Sequence, residues 1–120
     1  MSDLQIVQTN VIRNLKKARD VSIFSVFTWS GLSFDCDDVS QTRILGLAVA
    51  AGAGAIPTSG IQWRLANNAW TTLYPSDVPF LFGALQAHIQ SRFILFAQHE
   101  SIIKAMTDPD LIVQYNLEVF

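Results

Sequence analysis

Phe82, Leu85, Ile89, Phe93, Phe96 and Ile103 recur at helical spacing and make one apolar stripe of about seven turns. The chain has 120 residues, one domain by the usual size prior. Pro75-Ser76-Asp77 opens this helix, with Ser76 as cap, and Pro79 is tolerated because first-turn amides have no helical partner. Asp108-Pro109-Asp110 breaks it, and residues 111–116 read as a short final helix or turn.

Upstream, Leu4, Val7, Val11, Leu15 and Ala18 recur every three or four residues, predicting an amphipathic helix of about four turns capped by Ser2 or Asp3. Arg13, Lys16, Lys17 and Arg19 hold half of the basic residues, and this charge run reads as a solvated helix face. From Val21 the chain turns β-branched and aromatic. Ser30-Gly31 is a turn signal inside a predicted hairpin. A second helix follows, capped by Asp38 or Ser40, with Ile44, Leu45, Ala48 and Ala51 on its buried face and Gly52-Ala53-Gly54 at its end. Ile61, Trp63 and Leu65 alternate, Asn67-Asn68 turns, and Trp70-Thr71-Thr72-Leu73 returns as a second hairpin. The expected fold class is α+β: three helices with two short β-hairpins in a single small domain over residues 1–120.

Composition narrows the function classes. Eight Lys and Arg stand against ten Asp and Glu, a formal charge of −2, which argues against a nucleic-acid backbone as partner. One cysteine, Cys36, excludes an intrachain disulfide framework and a zinc site built on several thiolates. No signal peptide is visible at Met1-Ser2-Asp3-Leu4. The longest apolar stretch, residues 44–56, is too short and too rich in Gly and Ala to span a membrane. Only 15% of residues are charged, against roughly 25% in ordinary soluble domains. Mean hydropathy is +0.29. A small chain has proportionally more surface to cover, so part of its apolar surface is expected to meet another chain.

Candidate catalytic and metal sites fare poorly. Asp35-Cys36-Asp37-Asp38 resembles the start of a calcium loop, but Ser40 and Gly46 occupy the positions that need Gly and Glu. Capping and turn-forming aspartates explain that cluster. His88 and His99 lie about 16 Å apart along one helix, too far to share a metal. Phosphate-loop, dinucleotide, nucleophile-elbow and zinc-protease motifs are missing, and Glu100 and Glu118 form no acid pair for glycoside hydrolysis. Trp29, Trp63 and Trp70 read as hairpin residues packed on the helix layer, with a sugar or peptide groove as the alternative. Trp63 and Phe96 are assigned to the core. No catalytic residue, metal or cofactor is expected.

The order of the pieces carries a resemblance. Thr28-Trp29-Ser30-Gly31-Leu32-Ser33-Phe34-Asp35-Cys36-Asp37, followed by Ser40 and Ile44, is similar to one half of a domain of unknown function found in tailed-bacteriophage tail-fibre and tail-fibre-assembly proteins. Trp63, then Asn67-Asn68-Ala69-Trp70-Thr71-Thr72-Leu73, then Asp77 and the long helix with His88, resembles the other half. The likeness runs over about residues 10–116 and rests on order and spacing. Asn67 stands where the family is usually acidic, and Cys36 and Pro79 are atypical.

The resemblance implies a non-catalytic tail-fibre accessory protein, an assembly chaperone or adaptor that binds a tail-fibre chain. It would act in the host bacterial cytoplasm, or stay with the virion tail, with no nucleic acid or membrane as partner. The alternative is a structural tail subunit or a small receptor-binding accessory contacting host-surface glycan. Leu117, Val119 and Phe120, together with the expected exposed side of the long helix at His88, Arg92 and His99, are the expected partner-binding residues. Leu117 and Val119 alternate as in a strand, so this segment either adds to a sheet edge or folds back on the helices.

Overall fold

The computed structural model describes residues 2–120. In chain order it contains α1 (Asp3–Ile23), β1 (Val26–Trp29), β2 (Leu32–Asp35), α2 (Asp38–Gly52), β3 (Ile61–Arg64), β4 (Trp70–Leu73), α3 (Val78–Ala105) and α4 (Pro109–Val113). The mixture of helices with two two-stranded antiparallel sheets agrees with the expected class, but among the described residues there are four helices, three of them long. The chain divides into two compact units. One runs from Ile23 to Ile89, and the other holds the described residues up to Ser22 and those from Gln90 to Phe120.

In the first unit both hairpins follow from their turn chemistry. Ser30 and Gly31 have φ of 53° and 74°, the pair of positive values that a two-residue hairpin turn requires. This register sets Phe27 opposite Phe34, both buried, with ring centroids 5.4 Å apart. In the second hairpin Asn68 takes the left-handed conformation at φ 68°, and the Asn67 side chain accepts from the Ala69 amide at 3.0 Å. Trp63 then faces Thr71, and Arg64 faces Trp70.

Between the hairpins, α2 starts one residue before the expected caps. Asp37, rather than Asp38 or Ser40, is the N-cap and accepts from the Ser40 amide at 2.9 Å. Hydrogen bonds from the Ser40 side chain and backbone hold the Asp37 carboxyl below the ordinary carboxylate range. The helix ends where the Ala55 amide reaches the Ala50 carbonyl and the Gly54 amide reaches that of Ala51, with Gly54 at φ 69°. Ile44 and Leu47 point inward and join Phe27, Phe34, Leu73, Leu81 and Leu85 in the core. Leu45, expected on that buried face, is 52% exposed.

The second unit is helical. Ser2 and Gln5 cap α1 reciprocally: the Gln5 amide donates to Ser2 Oγ, and the Ser2 amide donates to Gln5 Oε1. The helix continues past the expected four turns and takes up Val21 and Ile23, which read as strand residues. Val11, Leu15, Arg19 and Ile23 keep four-residue spacing, and a β-branched residue costs only a few tenths of a kcal/mol in a helix, roughly. Arg19 is not solvated like its basic neighbours. Its guanidinium carbon lies 4.7 Å from the ring centroids of both Phe93 and Phe96.

At the end of α3, Gln8 Nε2 donates to the Ile103, Lys104 and Met106 carbonyls at 3.1–3.3 Å, occupying acceptors that a helix end leaves unpaired. Asp108 then caps α4, and Pro109 opens that helix rather than only stopping the previous one. The expected Ser76 cap of α3 is replaced by Asp77, whose carbonyl accepts from Leu81 while its carboxylate turns back to the Tyr74 amide.

Two outcomes check this account. Gly60 has φ 83°, and a Cβ there would lie 2.6 Å from Thr72 Cγ2 and 2.9 Å from the Leu73 carbonyl oxygen. Gly60→Ala should lower unfolding free energy by about 2 kcal/mol in urea titration. Because the Asp37 carboxyl is lowered on folding, its contribution is full above the unfolded value and fades as pH falls through the folded one. Asp37→Asn keeps a capping oxygen, so the stability difference between parent and variant at neutral pH should shrink on acidification, followed by circular dichroism.

Candidate functional site

The inward line of α3 decides where the predicted site residues go. Val78, Leu81, Leu85, Phe96 and Ile103 are its buried apolar residues, and His88 is buried with them at 8% exposure. In the first unit 81, 85 and 88 follow at steps of three or four residues, and in the second 92, 96, 99 and 103 do, so His88, Arg92 and His99 lie on the side that faces the core of their own unit. The expected exposed stripe is therefore corrected, since these polar side chains share the line that carries the core.

Each is engaged inside its own unit. His88 Nε2 donates to the Ile23 carbonyl at 3.1 Å, at the end of α1, and its ring lies 6.1 Å from that of Phe27. Arg92 donates from Nε to Ser22 Oγ at 3.0 Å and from Nη1 to Ser91 Oγ at 2.8 Å. His99 Nδ1 shares a hydrogen bond with the Tyr115 hydroxyl, the two rings meeting edge to face. Leu117, Val119 and Phe120 form no strand. They are half-buried against the cluster of Val11, Leu15, Phe96, Ile103 and Ile112, so the segment folds back on helices of its own unit. Cys36 is fully buried, and Gln41 Nε2 donates to its carbonyl at 2.9 Å. No group of three or more His, Cys, Asp or Glu side chains among the described residues could hold a metal ion. Among those residues, no helix is long and apolar enough to cross a membrane.

Two surfaces of the Ile23–Ile89 unit come forward instead. The first is the outer side of α2 and the start of α3. Val39, Thr42, Leu45 and Val49 fall on one side of α2, and the three aliphatic residues are 56%, 52% and 66% exposed. Between α2 and α3 run two shallow grooves. One, of about 380 Å³, lies among Thr42, Leu45, Phe82 and Gln86, and the other, of about 360 Å³, among Ala48, Gly52, Pro79 and Phe82. Asp38 is the one charged side chain lining either groove.

The second surface is a cleft of about 330 Å³ where β3 and the β3–β4 turn face Asp35, Ser40 and Arg43. Trp63, a half-buried residue against the core, forms part of its wall. Trp70, read as core from the sequence, is 61% exposed on the rim, with the Arg64 guanidinium carbon 5.6 Å from its ring centroid. Phe96 is buried as assigned, and Trp29 packs beside Phe34 at 6.3 Å between ring centroids. Sequence periodicity put Trp70 on an apolar strand. Its cross-strand partner Arg64, six residues earlier across a two-asparagine turn, was the available signal that it faces outward.

A buried helix line satisfied by internal hydrogen bonds, two tight hairpins and no metal-binding cluster among the described residues define a small α+β module with open surface grooves. The family model for a domain of unknown function (DUF4376) matches residues 6–116, which covers both units, and the chain belongs to that family. No curated protein and no solved structure matches the chain.

If His88 is a structural residue, removing it strands the Ile23 carbonyl. His88→Ala should lower unfolding free energy by about 2 kcal/mol in urea, whereas Ala substitution of exposed Gln86 should change it little.

Proposed function

We propose that this chain is a non-catalytic accessory protein of a phage tail fibre, a chaperone or adaptor that binds a tail-fibre chain through the outer face of α2 and the start of α3. The resemblance in residue order to the tail-fibre-associated family supplies the class of partner. The observation that carries the reading is the two-helix face itself: Val39, Leu45 and Val49 stand exposed beside two grooves whose lining holds a single charge. An outward helix side normally carries charged residues, and an uncharged one leaves apolar area for another chain to cover.

The remaining chemistry favours binding over catalysis. His88, Arg92 and His99 are spent on internal hydrogen bonds. In this reading the protein works in bacterial cytoplasm while fibres assemble, and neither nucleic acid nor membrane is its partner.

Made alone, the protein should self-associate in sedimentation velocity as concentration rises, and co-expression with its cognate fibre chain should return a soluble complex. Leu45→Glu with Val49→Lys should cut fibre capture about tenfold or more while circular dichroism stays unchanged, since both residues are exposed. A clean monomer at all concentrations, or undiminished capture by the folded double variant, would remove this face from the interface.

A further inference from the structure

The cleft between β3 and the start of α2 brings side chains of both charges beside two tryptophans. Arg19, Arg92, His88 and His99 are held by protein partners. In the cleft, Asp35, Arg64 and Asn68 have side chains without a hydrogen bond or ion pair among the described residues, although opposite charges line the same space. Arg43 also forms no ion pair there, acting only at a distance on Asp37. Their donors and acceptors are turned to solvent and remain available.

We propose that this cleft binds a saccharide bearing a carboxylate. The exposed indole of Trp70 is a flat apolar platform with a polar edge, suited to the carbon–hydrogen face of a sugar ring, and Trp63 adds part of the wall from the core side. Arg64 lies over Trp70, its guanidinium carbon 5.6 Å from the ring centroid, a contact that uses none of its hydrogen-bond donors. A guanidinium held that way pairs with a carboxylate through two parallel hydrogen bonds, and Arg43 adds a second cation. Asp35 and Asn68 supply acceptors that a ring of hydroxyl groups satisfies.

The same set disfavours other occupants. A nucleic-acid strand needs a cationic track along its phosphates, and Asp35 sits in the path. A peptide anchored by an apolar side chain needs an apolar hole, and this cleft is lined mostly by polar and charged residues. The inference does not rest on the fibre-binding reading, because the cleft and the α2–α3 grooves share none of their lining residues.

The test uses the full chain with four kinds of probe. These are tetrasaccharides containing glucuronate, galacturonate or sialate, their carboxyl-reduced counterparts, an acidic decapeptide and a decathymidylate. Tryptophan fluorescence and calorimetry report binding. At least one acidic tetrasaccharide should quench the indoles and bind about tenfold or more tightly than its reduced form. Trp70→Ala and Arg64→Lys should each weaken it about tenfold while melting temperature holds, since both residues are exposed. No binding of any acidic tetrasaccharide would overturn the proposal. Equal binding of the reduced forms, preference for the peptide or oligonucleotide, or an unaffected Trp70→Ala variant would do the same. Capture of a fibre chain should be unchanged in Trp70→Ala, which keeps failure of this inference separate from failure of the proposed function.

Discussion

Leu81 and Leu85, with His88 buried beside them, belong to the core of one unit, and Phe96 and Ile103 belong to that of the other, so each part of α3 turns a line of side chains into its own core. A helix has one inward line, and whatever lies on it must be apolar or hydrogen-bonded. This constraint explains the conduct of the polar residues. His88 meets the last carbonyl of α1, Arg92 meets two serine hydroxyls, and His99 meets Tyr115. A polar side chain on the core line is tolerated only with such a partner, so these hydrogen bonds are part of what holds each unit together.

The distribution of charge follows. With 15% charged residues, the chain has few to place, and several are drawn inward. Arg19 lies between two phenylalanine rings, with its side chain 15% exposed, and Arg92 is half-buried. What remains cannot cover every outward helix side, which is why Leu45 and Val49 stand exposed on α2. Arg43 and Arg64, by contrast, stay at a surface cleft beside Trp70 and Asp35. The two candidate surfaces use opposite chemistry, one face nearly uncharged and one cleft lined by exposed charged and polar groups.

Local signals carried much of the fold. Ser30-Gly31 and Asn67-Asn68 announced both hairpins because few residues accept positive φ, and their registers then placed Phe27 against Phe34 and Arg64 against Trp70. The long helix was equally legible from its apolar spacing. Its facing was not. Phe82, Ile89 and Phe93 compete with Leu81, His88 and Phe96 for the inward side, and a helix apolar over most of its circumference has no unique phase in sequence. The same ambiguity misassigned Leu45 on α2 and carried Val21 and Ile23 into a predicted strand, where four-residue spacing from Val11 won instead.

The amino-acid sequence by itself determined the element order, the hairpin turns, the scarcity of charge and the family pattern of residues 6–116, because turn geometry and composition are local properties. Only the tertiary structure decided that His88, Arg92 and His99 are inward, that Leu117, Val119 and Phe120 fold back, and that Trp70 and Arg64 rim a cleft. Those outcomes depend on which side of each element meets its neighbour. That choice is made by the summed burial of many side chains at once, and periodicity along one helix or strand cannot express it.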